Sequence, residues 1–208
     1  MSSSSSTPFA NIDDAIADFK NDQFVLVMDD ESRENEGDLI IAAESMTQEQ
    51  MAFLVRWSSG FICAPLSTEL ADKLQLHPMV QNNTDRHSTA YTVTCDVKIG
   101  TTTGISAHDR AKTVRHLADA NAKPDDFTRP GHIVPLRAVP GLLNERTGHT
   151  EAAIQLCQLA GKKPAAAICE LVREKDGLMM RLDDCIEFCQ KHNIKIITIK
   201  QLIEKINT

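Results

Sequence analysis

Two short apolar runs, FVLVM at residues 24–28 and LIIAA at 39–43, flank a ten-residue segment that holds six carboxylates. Both runs contain β-branched residues and have strand length, so they predict a hairpin-like pair of strands. The segment between them, DDESRENEGD at 29–38, concentrates like charge and must either extend into water or hold cations. The sequence therefore predicts a sheet with a candidate cation site at one turn.

The rest of the chain alternates patterns typical of helices and of strands, without an internal repeat or a long linker. This alternation predicts an α/β fold, namely a single-domain three-layer sandwich in which a mixed β-sheet is covered by helices on both faces. We expect a turn at RPGH (129–132), Thr150 as a helix N-cap and Gly161 as a helix end. Helices are predicted over 12–20, 47–58, 67–74, 107–119, 151–160, 182–192 and up to about 206, and further strands over 60–64, 89–97, 132–139, 164–172 and 194–199.

Composition limits the classes of protein that remain. A chain of 208 residues with 42% hydrophobic content can bury a full core, and we expect one domain over 9–208 after a disordered Ser-rich tail at 1–8. The net charge of -7, together with a single Trp and a single Tyr, argues against a nucleic-acid partner. The six cysteines form no CxxC pair and indicate a reducing compartment. Without a signal-like or membrane-spanning apolar segment, we expect a soluble, cytoplasmic protein.

Further polar groups lie at the predicted ends of elements. RTGHTE at 146–151 precedes a helix, where free N–H groups favour an anion and Arg146 can bind a phosphate. Glu170 follows the apolar run AAAIC and would be costly to bury unpaired. TTTGIS at 101–106 and His132 in RPGHIVP are weaker candidates, because Thr-rich turns and turn-bonding imidazoles are common. A solvated acidic loop and a simple helix cap remain open readings of these residues alone.

Taken together, these motifs resemble one enzyme family. DDESRENEGDLI, NNT, TTTGIS, RPGHIVPLRA, RTGHTEA, LAGKKPA and CELV, in this order and spacing, are similar to 3,4-dihydroxy-2-butanone 4-phosphate synthase of riboflavin biosynthesis, in its stand-alone form. The resemblance extends over almost the whole chain. It implies a lyase that converts D-ribulose 5-phosphate into L-3,4-dihydroxy-2-butanone 4-phosphate and formate, and that acts as a homodimer with its sites near the subunit interface.

The resemblance also implies roles for individual residues. Glu34 and His149 would bind a pair of Mg²⁺ or Mn²⁺ ions, and His132 and Glu170 would be catalytic. We favour Asp38 as the base that removes the C3 proton of the substrate, with Glu170 and His132 moving later protons. The residues expected to contact substrate are Arg33, Glu34, Asp38, Arg146, Thr147, Gly148, His149, Thr150 and Glu170.

Two other functions fit the same residues. One is an isomerase, epimerase or aldolase that acts on a phosphosugar, which would release no formate. The other is a non-catalytic phosphosugar-binding module, which would gain little from a carboxylate such as Glu170 beside an anionic ligand. Cys63 matches a position where the family often has a thiol, and we expect oxidised glutathione to modify it, although a buried hydrophobic role is the more common one.

Overall fold

The computed structural model describes residues 8–208. The predicted disordered tail lies outside the described residues except for Pro8. The β-strands are β1 (Val25–Met28), β2 (Gly37–Ala42), β3 (Cys63–Leu66), β4 (Cys95–Val97), β5 (Phe127–Arg137), β6 (Ala166–Glu170) and β7 (Lys195–Thr198). The α-helices are α1 (Ile12–Lys20), α2 (Gln48–Trp57), α3 (Thr68–Lys73), α4 (Ala107–Leu117), α5 (His149–Ala160), α6 (Leu182–His192) and α7 (Ile199–Ile206), and short 3₁₀ turns occur at Pro124–Asp126 and Leu142–Asn144.

The strands form one mixed sheet in the order β4-β5-β3-β6-β2-β1-β7. β1 and β2 are an antiparallel pair, which confirms the predicted hairpin, and β1–β7 and β3–β5 are parallel pairs. The remaining neighbours, β2–β6, β3–β6 and β4–β5, are antiparallel. The mixed sheet predicted from the irregular spacing of strands is therefore confirmed.

Helices cover both faces of the sheet, as the sequence predicted. On one face α2, α3, α4 and α6 pack on a buried apolar cluster that includes Leu39, Met51 and Leu54. On the other face α1, α5 and α7 pack on a second cluster that includes Ile40, Phe19 and Leu156. Neighbouring residues of one strand point to opposite faces, so Leu39 and Ile40 enter different clusters. Within residues 8–208, no helix is both long and apolar enough to cross a bilayer.

Three local predictions were wrong. The RPGH segment is not a turn but part of β5, where it forms an irregularity: the residues of β5 that pair with β4 pass from Thr128 directly to Ile133. The N–H groups of Gly131 and His132 donate instead to the side chains of Thr94 and Asp96. Thr150 is not the N-cap of α5, because the helix begins two residues earlier than predicted, at His149, and Gly148 is the cap. Of the strand predicted over 89–97, only Cys95–Val97 forms a strand. Gly161 ends α5 in the left-handed conformation, as predicted.

The register of β2 against β6 places two candidate groups side by side. Asp38, the second residue of β2, is the direct partner of Glu170, the last residue of β6. Directly opposed residues of an antiparallel pair have Cβ atoms about 4.5–5.5 Å apart. Two carboxylates that are 132 positions apart in the sequence therefore meet at one end of the sheet.

Candidate active site

Asp29 fixes the shape of the acidic loop between β1 and β2. Its side chain is fully buried, and it accepts hydrogen bonds from the backbone of Glu34 (3.0 Å) and Glu36 (2.8 Å) and from the Arg33 guanidinium (3.0 Å). Asn35 has a φ of +54°, a left-handed conformation that Asn tolerates better than most residues. The loop is thus folded back on itself and is not splayed into water.

Arg181, the N-cap residue of α6, holds the outer side of the same loop. Its Nη1 donates to the carbonyl oxygens of Glu34 at 2.8 Å and Asn35 at 2.5 Å. A charged donor makes stronger hydrogen bonds to carbonyls than a neutral one. The position of the Glu34 backbone is therefore set from inside by Asp29 and from outside by Arg181.

His149, the first residue of α5, lies buried opposite the loop. Its Nε2 lies 3.0 Å from the carbonyl oxygen of Val27 and donates to it, because a carbonyl cannot donate. Nδ1 consequently faces the carboxylates of Glu34 at 3.7 Å and Asp38 at 3.6 Å. Although burial lowers the pKa of His149, these carboxylates outweigh that effect and raise the pKa to about 9. Contact with His149 and Arg33 in turn outweighs desolvation and lowers the pKa of Glu34 to about 2.

Asp38 is a buried carboxylate, and its Oδ1 accepts no hydrogen bond from residues 8–208. The exposed fraction of Asp38 is 2%. Burial raises the pKa of Asp38 to about 7, because the attraction of His149 does not offset the desolvation and the nearby Glu170. A buried oxygen without a donor is costly, so this atom is available to a ligand.

Glu170 is oriented by the turn after α2. The Ser59 hydroxyl donates to Glu170 Oε2 at 2.7 Å, and the Ser59 backbone N–H donates to the Glu170 carbonyl at 2.8 Å. The side chain of Glu170 is only partly buried, so the rest of its carboxylate faces the open space above β6. Glu170 therefore projects from the end of its strand into the same region as Asp38.

Arg146 joins three segments at the wall of this region. Its guanidinium donates to Glu151 at 2.5 Å, to the Thr89 hydroxyl at 2.9 Å and to the His87 carbonyl at 3.2 Å. A Cβ at position 148 would lie 2.2 Å from Arg146 Nη1, so any residue other than Gly148 would displace the Arg146 guanidinium from this position. The start of α5 and the loop that ends at Thr89 are thereby held against each other.

These elements enclose a small cleft with a cavity volume of about 60 Å³, below the usual range of small-molecule sites. The cleft brings together eight of the residues that the sequence singled out: Arg33, Glu34, Asp38, Cys63, Arg146, His149, Thr150 and Glu170. Three others do not line it. Gly148 is the cap of α5, Thr147 lines a larger cavity on the far side of the acidic loop, and His132 lies two strands from Glu170, on β5.

The donor atoms in the cleft fit a small divalent cation. Glu34 offers carboxylate oxygen and His149 offers Nδ1, which lie 3.7 Å apart. Asp38 Oδ1, 3.6 Å from the same Nδ1, accepts no hydrogen bond among the described residues. His149 already donates its other nitrogen to a carbonyl, which is the usual arrangement for a ligating imidazole. Asp29, Glu34 and His149 also form a group with ligand atoms within 4.8 Å of one another. Because three hydrogen bonds engage Asp29, we assign it to loop structure and not to the ligand set.

Comparison with known proteins shows the family to which the chain belongs. The family model of 3,4-dihydroxy-2-butanone 4-phosphate synthase matches residues 13–205. The chain belongs to this family. It is 66% identical to the synthase of Candida albicans over 96% of this chain and 98% of that protein. It is 55% identical to the synthase of Saccharomyces cerevisiae over 94% of this chain and 98% of that protein.

A solved synthase structure has the same fold and contains cations. It is the structure of a 3,4-dihydroxy-2-butanone 4-phosphate synthase in complex with two magnesium ions, and it superposes with a TM-score of 0.91 at 52% identity. The alignment covers 95% of this chain and 97% of that chain. These similarities confirm the family and the fold that the sequence predicted.

Sequence reasoning missed several walls of the cleft. Thr89, Tyr91, Leu136 and Ile168 line it although none belongs to a motif with an obvious chemical role. Thr89 is recognisable only through its contact with Arg146, which joins residues 57 positions apart. Leu136 and Ile168 are strand residues whose alternation indicates a buried face but does not show that this face ends in a cleft.

Cys63 lies at the bottom of the cleft and has an exposed fraction of 3%. Burial, followed by the charge of Glu170, raises the pKa of the Cys63 thiol well above its ordinary value. A protonated, buried thiol reacts slowly with disulfides. Modification of Cys63 by oxidised glutathione stays a prediction, and these surroundings act against it.

Proposed function

We propose that this protein converts D-ribulose 5-phosphate into L-3,4-dihydroxy-2-butanone 4-phosphate and formate, in riboflavin biosynthesis, with Mg²⁺ or Mn²⁺ as cofactor. The observation that carries the proposal is the convergence of Glu34, Asp38, His149 and Glu170 in one cleft of a chain that belongs to the synthase family. A binding module would not need two facing carboxylates beside an anionic sugar phosphate, because they would repel it in the absence of a cation.

Each part of the cleft has a role in this reaction. Glu34 and His149 hold the cation, which supplies Lewis-acid polarisation of the substrate carbonyl when bound. Asp38 removes the proton from C3; it lines the cleft, and its Oδ1 accepts no hydrogen bond among the described residues. Glu170, oriented by Ser59, transfers protons at the later steps.

The substrate phosphate requires cationic groups and free N–H donors. His149 and Thr150 line the cleft together with Arg146 and Arg33, at the start of α5 where backbone N–H groups lack intrahelical partners. Gly148 and Thr147 form the turn that presents this helix start. We assign the phosphate-bearing end of the substrate to this side of the cleft, away from Glu170.

His132 acts from the other subunit of a homodimer in this proposal. It does not line the cleft of its own chain, and its neighbourhood exposes large apolar side chains, with Phe61 50% and Ile105 52% exposed. Apolar patches of this kind mark protein interfaces. A two-fold dimer that buries these patches would bring His132 of one chain to the cleft of the other. The predicted cytoplasmic location and the absence of a nucleic-acid partner stay predictions from composition.

NMR with ¹³C-labelled ribulose 5-phosphate tests the reaction. We expect formate that derives from C4, formed with Mg²⁺, suppressed by EDTA and lost in His149→Ala. Lys200→Ala is a matched control on the exposed face of α7. Substrate that disappears without formate would instead indicate an isomerase or epimerase, and binding without turnover would indicate the module.

Mixed dimers test the shared site. Co-expression of Glu34→Gln with His132→Ala gives mixed dimers in which one of two clefts is intact, if each cleft takes His132 from the partner. Random pairing then restores about a quarter of wild-type activity. Activity no higher than that of either variant alone would place His132 in its own chain's site or outside the reaction.

A further inference from the structure

His132 makes two contacts with a buried carboxylate on the neighbouring strand. Asp96 of β4 is 7% exposed, and its Oδ1 accepts the His132 backbone N–H at 2.8 Å. Its Oδ2 lies 2.6 Å from His132 Nδ1. The His132 side chain is 40% exposed, so the imidazole lies between a buried acid and the surface. Asp96 therefore contacts both the backbone and the ring of His132.

A glycine turn covers this pair. Gly104, in the TTTGIS segment, has a φ of +91°, and a Cβ there would lie 2.0 Å from Asp96 Oδ2 and 2.6 Å from His132 Nδ1. Asp109 at the start of α4 holds the turn by accepting from the Thr102 hydroxyl at 2.8 Å and from the Gly104 backbone at 3.1 Å. The close approach of the turn excludes water from one side of the Asp96 carboxylate.

A buried cation supports the same carboxylate. Arg110, the residue after Asp109 on α4, is 6% exposed and donates to the Gly60 carbonyl at 3.2 Å. The charges of Arg110 and Asp96 attract each other. Three elements, β4, β5 and α4, are thus arranged around the His132 ring.

We propose that Asp96 is a positioning residue that fixes His132 in the tautomer with the proton on Nδ1. An ionised carboxylate can only accept, so Nδ1 carries hydrogen and Nε2 is left with a free lone pair. Within residues 8–208 Nε2 has no hydrogen-bond partner. Nε2 is the nitrogen that takes and returns a proton at the substrate. This inference rests on the proposed function, because it assigns the orientation of the group that moves a proton there.

The Asn variant reverses the tautomer for a geometric reason. In Asp96→Asn the amide oxygen takes the place of Oδ1, because the His132 backbone N–H still needs an acceptor. The amide NH₂ then faces Nδ1, which must become the acceptor and leave the proton on Nε2. In a serine protease triad the equivalent change lowers kcat by about 10⁴-fold. For His132 we expect a loss of about 10²- to 10⁴-fold in kcat, with KM changed less than about threefold.

Nitrogen-15 NMR of the imidazole in the wild-type protein tests the tautomer without any substitution. We expect Nδ1 to be protonated and Nε2 to be unprotonated when the ring is neutral, and the reverse in Asp96→Asn. A wild-type ring with the proton on Nε2 would overturn the proposal. This measurement also stands if the variant fails to fold.

A double-mutant cycle separates positioning from a structural effect. If Asp96 acts through His132, Asp96→Asn lowers kcat in the wild type but changes it less than about twofold in His132→Ala. A similar loss in both backgrounds would overturn the proposal. Asp126→Asn is the matched control, because Asp126 pairs with His116 at 2.9 Å elsewhere on the surface, and we expect it to leave kcat unchanged.

The experiments distinguish failure of the proposed reaction from failure of the positioning role of Asp96. If His132→Ala keeps full activity, His132 moves no proton and the positioning role of Asp96 falls with it, although formate release would still establish the synthase. If no formate forms but the ring has the Nδ1 tautomer that Asp96→Asn reverses, the reaction assignment fails while the geometry of the pair stands.

Discussion

We expect that replacement of Arg181 by Met weakens cation binding without changing the side chain of any proposed ligand. Arg181 donates from one nitrogen to the carbonyls of Glu34 and Asn35, at 2.8 Å and 2.5 Å. Met retains the apolar stem and removes both donors. Because Glu34 is a proposed ligand and its own carbonyl is one of the acceptors, the loss acts on the loop that places the carboxylate.

The magnitude follows from the exposure of this contact. A hydrogen bond from a charged donor contributes about 1.5–3 kcal/mol when buried, and we take about 0.5–1 kcal/mol for each of these exposed bonds. The pair then contributes about 1–2 kcal/mol, which corresponds to an increase of roughly 5- to 30-fold in the dissociation constant of the cation. We expect kcat at saturating Mg²⁺ to fall less than about threefold, since the ligands themselves are unchanged.

Isothermal titration with Mn²⁺ measures the effect, and kinetics over a range of Mg²⁺ concentrations check it. Arg173→Met is the matched control, because Arg173 pairs with Asp176 in the exposed hairpin that precedes α6. We expect its cation affinity to equal that of the wild type. An Arg181→Met affinity within twofold of the wild-type value would refute the view that α6 holds the loop for the cation.

Two further perturbations test the surroundings of the site and the fold. Ser59→Ala removes the hydroxyl that donates to Glu170 at 2.7 Å. We expect kcat to fall by about 5- to 10-fold with little change in KM, because one hydrogen bond contributes roughly 1 kcal/mol. An unchanged kcat would contradict the role of Ser59 in orienting Glu170. Although burial raises the pKa of Asp22, hydrogen bonds from Lys162 and Ser45 outweigh it and lower the pKa. The Asp22 contribution is therefore present at neutral pH and is lost as pH falls through the folded-state pKa. We expect Asp22→Asn to cost about 0.5–1 kcal/mol in urea unfolding at pH 7 and clearly less below about pH 4, and a cost that is equal at both pH values would count against the ion pair.

The sequence predicted the helices and the layers well because their signals are local. The pattern of α6 gave both of its ends correctly, and Gly161 ends α5 because glycine adopts the left-handed conformation without strain. The acidic loop was also predictable, since six carboxylates between two apolar runs admit few structures. These features depend on residues within a few positions of one another.

The parts that were missed depend on contacts between distant segments. The Pro and Gly of the RPGH segment predict a turn, yet the residues on either side of it pair with β4 and the segment continues β5 as an irregularity. Thr150 is a good cap by composition, but His149 must begin the helix to donate to the Val27 carbonyl, 122 positions away. The pairing of His132 with Asp96 likewise joins residues 36 positions apart and gives no local signal.

In the proposed function, the acidic loop and the start of α5 form one cation site. Anomalous diffraction from crystals grown with Mn²⁺ tests it most directly, because it locates the ion without reference to activity. We expect Mn²⁺ in the cleft with Glu34 oxygen and His149 Nδ1 as ligands, and loss of that density in Glu34→Gln. Mn²⁺ bound elsewhere, with no density at Glu34 and His149, would show that these residues do not form the cation site.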